Sequence, residues 1–429
     1  VGVPAYLFFS VSSATVIQRP PLALGRETQV PLQVSNPNGV RSVRATLQQG
    51  AAASEASATF VADRLFFVRK GLPPQTVPLK LLADPAKGFR SGPAKLTVEA
   101  VSNDLRARAD AASFDVTITL EPPRLQVDAA QHYVNQGGAE LVTFTVSGSW
   151  SEAGVRIGNY RFRSYPIPGA KSPNERFSLF AFPWDVPATE KPEVYAQDQA
   201  GQQVAAGFWF KLFPKQWRNR ELPLTDSFLA KVTADLMPGA GEPLPRFLKI
   251  NREMRKDNNE ALANLRLQSE EKILWSSPFE QLSNSKVEAL FADVRSYVYN
   301  GQKVDQQVHL GFDLSKTAMA PVVASNSGRV VFAGPLGIYG NCVVIDHGYA
   351  LQSIYAHLSS IGVKVNQRVE RRQEIGRSGA TGLAGGDHLH YSMQLDGVQI
   401  NPLEWWDAHW IQDRIAARLP AGSVPVAAK

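Results

Sequence analysis

The sequence predicts a multidomain, mainly β protein: two β-sandwich modules, a helical linker and a C-terminal antiparallel β-sheet domain. Three observations carry that reading. At 429 residues the chain exceeds what one hydrophobic core serves, and typical domain size divides it into about three. Short runs of alternating apolar and polar residues, bounded by Pro, Gly and Asn, fill the first half and return from about residue 291. Between residues 224 and 290 the apolar period lengthens to that of a helix.

The first module is expected over residues 1–122, where "ETQVPLQVSN", "KLTVEAVSN" and "FDVTITLEPP" have the rhythm of an antiparallel sandwich and Pro122 with Pro123 marks a boundary. The stretch before Arg19 carries no charge. It is compatible with the remnant of a signal or membrane anchor, although Pro4 and the hydroxyl residues suit a spanning helix poorly. No later stretch is long and apolar enough to cross a bilayer. The second module, residues 123–217, contains "LVTFTVSGSW", "RFSLFAFPW" and "FWFKLF" as strands, and its "YAQDQAGQ" has the look of the last turn of an immunoglobulin-like module. Both modules are read as immunoglobulin-like. Neither offers an acid pair or a nucleophile cluster, so a spacer or binding role is expected of them.

In the helical linker, residues 218–288, Phe228, Leu229, Val232 and Leu236, then Phe247, Ile250, Met254, Leu262 and Leu265, recur at helical spacing. Thr225 or Asp226 is the expected N-cap, with Pro238 and Gly239 as the stop. The apolar stripe is expected to pack in a core or between domains. The C-terminal domain, residues 289–412, returns to strands in "RVVFAG", "GNCVVIDHG", "LQSIYAHL", "EIGRSG" and "HLHYSMQLDG". A last helix over 402–418 would carry Trp406 and Trp410 four residues apart, and residues 413–429 are read as the helix end and a disordered tail. Residues 291–407 are expected to fold and bind metal without the sandwiches.

Hydrophobic content of 44% with 20% charged residues is that of a globular chain. The net charge of +6 is scattered in pairs such as Arg371 and Arg372 rather than gathered in a stripe, which argues against nucleic acid as a partner. A mild positive field suits an anionic polymer such as a cell wall. Cys342 is the single cysteine, so the chain can form neither an internal disulfide nor a multi-thiolate zinc site. Within "CVVI" it reads as a small buried hydrophobe. Any metal must therefore be held by His, Asp or Glu.

Five of the seven histidines fall between His309 and His390. "HLGFD" sets His309 and Asp313 four apart, "YAHLS" places His357 between apolar residues, and "GGDHLHYSM" sets His388 and His390 one residue apart. In a strand, alternate side chains share a face, so both imidazoles of the doublet would point the same way. Hydrolytic zinc takes three N or O ligands and keeps one position open for water, a need that two histidines and one carboxylate meet.

Taken in order, "HLGFD", "GNCVVIDHG", "YAHLS", "GRSGATG" and "HLHYSM" resemble the lysostaphin-type (LytM-like) zinc metalloendopeptidases of bacterial cell walls, over roughly residues 289–404. The resemblance implies His309, Asp313 and His390 as zinc ligands and His357 and His388 as catalytic histidines that do not bind the metal. It implies cleavage of the peptide crosslinks between peptidoglycan stem peptides by a metal-activated water. It further implies an exported protein of the cell envelope, expected in the periplasm, whose sandwich modules could meet an envelope partner. His132, His347 and His409 match no family role and are read as structural. Gly379, Gly382, Gly385 and Gly386 match the family's turns and are expected to permit positive φ ahead of the doublet. Tyr339 and Asn341, before a strand near the expected groove, are candidates for substrate contact. Two departures bear on groove shape: Asp387 stands where a proline commonly precedes the doublet, and Ser392 where an acidic residue often follows the aromatic. The competing reading is a noncatalytic envelope protein that activates or scaffolds another hydrolase. Such members usually lack ligands, whereas all five expected residues are present here.

Overall fold

The computed structural model describes residues 14–60, 72–104 and 106–425, so most of the stretch read as an anchor remnant lies outside the described residues. The chain divides into two compact units: residues 1–125 with 146–153 and 196–205, and residues 126–145, 154–195 and 206–429. Among the described residues no helix is long and apolar enough to cross a membrane.

In the first unit, the strand Val40–Gln49 pairs antiparallel with Ala52–Thr59 on one side and Gly92–Ser102 on the other, and Ala109–Ile118 extends the sheet. Glu27–Ser35 pairs with Gln75–Leu82 in a second sheet. The alternation seen in the sequence sets which side each residue takes. Val30, Leu32 and Val34 are buried while Gln29, Pro31 and Gln33 between them are exposed. They share one core with Val43, Ala45, Leu47, Val77, Leu79, Leu96 and Val98. The two sheets therefore pack face to face.

In the β-rich part of the second unit, up to Phe213, residues 139–145 pair antiparallel with Glu175–Ala181, and His132–Asn135 runs parallel to Phe210–Phe213. A three-stranded sheet follows, in which Asn219–Pro223 runs parallel to Asp293–Tyr299 and Gln302–His309 completes the far edge. The largest sheet runs Lys286–Ala289, Phe312–Ser315, Leu389–Leu395, Leu351–Leu358, Asn341–Asp346, Gly328–Pro335 and Arg368–Val369. Every residue of Leu351–Leu358 and of Leu389–Leu395 is buried, so both faces of this sheet's centre are covered.

The helical segment supplies one of those covers. Thr225 caps the helix Asp226–Leu236, its hydroxyl accepting from the Phe228 amide at 3.2 Å. A nearly continuous helix follows: Pro243–Lys249, a π turn at Ile250–Met254, Arg255–Asn264 and a 3-10 end at Leu265–Gln268. Leu229, Val232, Phe247, Ile250 and Leu262 form a single core with Cys342, Val344, Ile354 and Ala356 of the large sheet. A segment expected to link domains thus shares a core with the C-terminal sheet, because its apolar stripe and the sheet's outer face each need the other's cover. Cys342 is fully buried within this core, and burial pushes its thiol up.

Two expectations for the C-terminus give way. The helix over 402–418 is broken into Pro402–Trp406, Ala408–Arg414 and Ala416–Arg418. Asp407 is extended at φ −95 and ψ 114, and its carboxylate caps the His409 amide at 2.8 Å. Trp406 accordingly packs on Phe312 and Tyr391, whereas Trp410 packs on Trp405. Within the described residues the tail packs on the rest of the chain: the Pro425 carbonyl accepts from the Ser277 amide at 3.1 Å beside a buried Val424. Glu404, immediately before Trp405 and Trp406, accepts from Asn135 Nδ2 at 2.8 Å and the Ala139 amide at 2.7 Å. Burial of its carboxylate pushes the pKa up to about 7.

Candidate metal centre

Three strands bring the predicted residues together. His309 ends Gln302–His309, Asp313 lies in Phe312–Ser315, and the ladder with Leu389–Leu395 sets Asp313 directly opposite His390. Gly311 makes this close approach feasible. A Cβ there would lie 2.6 Å from His390 Cε1 and 2.8 Å from the Tyr391 carbonyl oxygen. Ser392 Oγ donates to the Leu310 carbonyl at 2.6 Å and steadies the same turn, which is what this departure from the family pattern does here.

The three donors face one another. His309 Nε2 lies 2.9 Å from Asp313 Oδ1 and 2.9 Å from His390 Nδ1, and His390 Nδ1 lies 3.1 Å from Asp313 Oδ1. All three residues are buried. His309 Nδ1 donates to the Leu290 carbonyl at 3.0 Å, so the Nε2 that faces Asp313 carries a lone pair when the ring is neutral. Lone pairs at hydrogen-bond distance in a buried site repel unless a proton or a shared cation lies between them. Burial lowers the pKa of His390 to about 4, which keeps its imidazole neutral, as ligation requires. Burial opposes ionisation of Asp313, but the imidazoles around it, His309 foremost, hold its carboxyl well below the usual range. The donor set is that of a metal site, with one carboxylate and two imidazoles.

The other two histidines border this trio. Pairing between Asn341–Asp346 and Leu351–Leu358 slips so that Val343 faces Tyr355 while Asn341 faces Leu358, a bulge at which His357 takes a left-handed φ of 61. Its Nδ1 donates to the Thr381 carbonyl at 2.8 Å. His388, held by a backbone bridge to Gly379, donates Nδ1 to the Gly386 carbonyl at 2.8 Å and places Nε2 3.4 Å from Asp313 Oδ1. The rings of His357 and His388 are 4.9 Å apart. Burial drives the pKa of His357 well down. For His388 burial acts the same way, but the hydrogen bond and charge of Asp313 outweigh it and raise the pKa.

All five residues line one cleft of about 700 Å³. Tyr339 lines it too, its hydroxyl donating to Asn259 Oδ1 at 2.8 Å. Asn341 instead donates its side-chain amide to the Leu358 carbonyl at 3.1 Å, beside the bulge that carries His357. Of the four glycines ahead of the doublet, only Gly382 has a positive φ, at 74. Gly379 is needed for a different reason: a Cβ would meet the Ser359 amide nitrogen at 2.5 Å. Gly385 and Gly386 have nothing within 4 Å. Asp387 accepts from Ser378 Oγ at 2.6 Å and from the Met319 amide at 3.0 Å, so it ties down the loop in place of a proline. His347 is buried between the Ser327 carbonyl and Ser353 Oγ, His132 is buried in the β-rich part before Phe213, and His409 is exposed in the last helix.

Sequence reasoning missed Arg295, whose Nη2 donates to Asp313 Oδ2 at 2.6 Å. No motif surrounds it; only the register of Asp293–Tyr299 against Gln302–His309 aims it at the site. Equally unseen were Lys231 and Arg255, which enter the cleft from the helical segment.

Residues 307–402 match the sequence profile of Peptidase family M23. Over 97 residues the chain is 37% identical to the DD-carboxypeptidase/endopeptidase Mpg of Neisseria meningitidis, covering 23% of this chain and 22% of Mpg. Over 96 residues it is 42% identical to the peptidoglycan DD-endopeptidase ShyA of Vibrio cholerae, covering 22% of each. The match thus spans about a fifth of the length of these curated relatives. Among solved structures, the catalytic domain of lysostaphin from Staphylococcus simulans is similar at 29% identity and a TM-score of 0.25, covering 29% of this chain and 92% of that domain. Residues 307–402, which hold His309, Asp313, His357, His388 and His390, are the part of this chain that is similar to peptidase family M23.

Proposed function

We propose that this protein is a zinc-dependent endopeptidase that cleaves the peptide crosslinks of peptidoglycan in the cell envelope, with the periplasm as its site of action. The observation that carries the reading is the convergence, in one cleft, of a buried His309, Asp313 and His390 trio with two further imidazoles. The names of Mpg and ShyA, both endopeptidases, support peptide as the target. A glycosidase would need two free carboxylates across the cleft. Of those lining it, Asp313 is engaged by imidazoles and Arg295, and Glu288 pairs with Lys286 at 2.9 Å.

His309 Nε2, Asp313 Oδ1 and His390 Nδ1 would hold the zinc. Four ligands at ordinary zinc distances sit about 3.3 Å from one another, so the trio needs to open by only a few tenths of an ångström. Bound zinc supplies Lewis-acid chemistry, polarising the scissile carbonyl and acidifying water. His357 and His388 handle the protons. With Nδ1–H committed to a carbonyl, each exposes only Nε2 for exchange, fixing the tautomer that accepts from the attacking water or donates to the departing amine. We read the modules over 1–122 and 123–217 as immunoglobulin-like spacers that can meet a partner in the envelope, and the peptidase domain as residues 289–412.

The test compares four variants for zinc content and for cleavage of purified sacculi. His309→Ala and His390→Ala should lose zinc and activity together. His357→Ala and His388→Ala should keep zinc and lose about two to four powers of ten in rate. Products should show new amino groups and no new reducing ends. Zinc retained in His390→Ala but lost in His388→Ala would overturn the assignment, and a wild-type protein that binds zinc yet leaves sacculi intact would favour the noncatalytic reading.

A further inference from the structure

Much of the cleft wall comes from outside residues 307–402. The strand Asn219–Pro223 supplies Arg220, the helix Asp226–Leu236 supplies Lys231, and the helix Arg255–Asn264 supplies Arg255. Each is held in place by neutral oxygens. Arg220 donates to the Glu288 carbonyl at 2.7 Å and Lys231 to the Ala384 carbonyl at 3.4 Å. Arg255 donates to the Asn251 carbonyl at 3.2 Å and to Asn251 Oδ1 at 2.7 Å.

Among the described residues none of these three cations has a carboxylate partner, unlike Arg218, Arg252, Arg329 and Arg372 of the same unit, which pair with Asp293, Asp305, Glu270 and Glu280. The two carboxylates of the cleft are engaged elsewhere, Asp313 with Arg295 and Glu288 with Lys286. The cleft therefore carries uncompensated positive charge before any metal is added. Its charges are also spread around the centre. Arg220 sits beside the segment whose Leu290 carbonyl orients His309, and Lys231 beside the loop that leads to His388. Arg255 lies on the helix whose Asn258 and Asn259 grip the Ile338 amide and the Tyr339 hydroxyl. Fixed cations in a partly enclosed cleft concentrate anions, and a guanidinium matches a carboxylate in shape as well as charge.

We propose that Arg220, Lys231 and Arg255 determine specificity by binding free carboxylates of the substrate on more than one side of the scissile bond, so that the enzyme takes an anionic crosslinked peptide in preference to a neutral one. This rests on the endopeptidase reading above and names the substrate chemistry of the same cleft. It also assigns that selectivity to the helical segment and the strand before it.

The experiment uses full-length, zinc-loaded protein and two synthetic crosslinked peptide dimers, identical except that one carries free carboxylates and the other carboxamides. Cleavage is followed by KM and kcat, and binding is measured by calorimetry in a His388→Ala background. Wild type should prefer the carboxylate dimer by about tenfold or more in KM, with the preference shrinking as salt rises. Arg220→Gln, Lys231→Gln and Arg255→Gln should each reduce that ratio several-fold, the triple variant should bring it near one, and Arg255→Lys should keep part of it. Equal KM for the two dimers, or an intact preference in the triple variant, would overturn the proposal. Carboxylate preference in binding without cleavage by wild type would refute the endopeptidase reading and leave this one standing, whereas cleavage without preference would do the reverse. Zinc content and thermal melting of each single variant separate misfolding from lost recognition.

Discussion

Asp313 divides its oxygens between two tasks. Oδ1 faces His309 and His390, and Oδ2 takes Arg295 Nη2 at 2.6 Å. The guanidinium therefore fixes the rotation of the carboxylate and keeps Oδ1 aimed at the two imidazoles, as the Leu290 carbonyl fixes the ring of His309. Losing such an orienting partner typically weakens metal affinity about 10- to 100-fold. Arg295→Leu should show a loss of that size when zinc is withdrawn by a competing chromophoric chelator, with the fold unchanged by circular dichroism. Arg295→Lys should fall between, since an ammonium keeps the charge and loses the fork. Affinity equal to wild type in Arg295→Leu would mean that the trio positions itself. The contrast with the five predicted residues is instructive. That His309, Asp313, His357, His388 and His390 come together was legible because short motifs hold each in local context, and in the doublet a strand's two-residue period alone put both rings on one side. Arg295 lies 18 residues from its partner, and that contact is fixed by a ladder that no local pattern announces.

At the level of elements, the loop from Gly379 to His388 decides where two of the imidazoles stand. Its glycines look alike in the sequence and differ in what surrounds them. A Cβ on Gly379 would lie 2.5 Å from the Ser359 amide nitrogen and 2.9 Å from the His357 carbonyl oxygen. A Cβ on Gly382 would lie 2.3 Å from the Gly340 amide nitrogen on a backbone already at φ +74. Gly379→Ala and Gly382→Ala should each cost about 1–3 kcal/mol in chemical denaturation and lower kcat/KM by displacing His357 or the loop ahead of His388. Gly385→Ala meets nothing within 4 Å and should stay within about 0.5 kcal/mol of wild type with activity retained. Similar losses at all three positions would show that the loop needs flexibility rather than close approach. The broken C-terminal helix teaches the same lesson from the other side. Apolar spacing across 402–418 suggested one helix, but the Asp407 carboxylate satisfies the His409 amide and starts a new one. Capping competes with continuation, and spacing alone does not say which wins.

Across the whole molecule, periodicity revealed the helices between residues 224 and 290 but not whose core they complete. Leu229, Val232, Phe247, Ile250 and Leu262 are each no more than 1% exposed and pack with Cys342, Val344, Ile354 and Ala356. The reason lies in the sheet. An apolar run such as "CVVI" reads the same whether one face or both faces are covered, so the sequence left open what lies over it. At about 1.5–3 kcal/mol for each buried side chain, the five helical residues contribute on the order of 10 kcal/mol of gross burial. That is comparable with the entire net stability of a domain, about 5–15 kcal/mol. The expectation that residues 291–407 fold alone therefore reverses. Such a fragment would expose the apolar face around Val344 and Ile354, lose the wall that carries Lys231 and Arg255, and leave Asp293 without Arg218. Expressed alone, the 291–407 fragment should aggregate or melt without cooperativity and bind zinc weakly. A fragment of residues 218–425 should melt in a single cooperative transition and bind zinc as the full chain does. Cooperative melting and undiminished zinc affinity in the shorter fragment would show that the helices merely cover a sheet already stable without them. Failure of both fragments would instead place the missing support in residues 126–213, through the contacts Glu404 makes with Asn135 and Ala139 and the ion pair of Arg163 with Asp396.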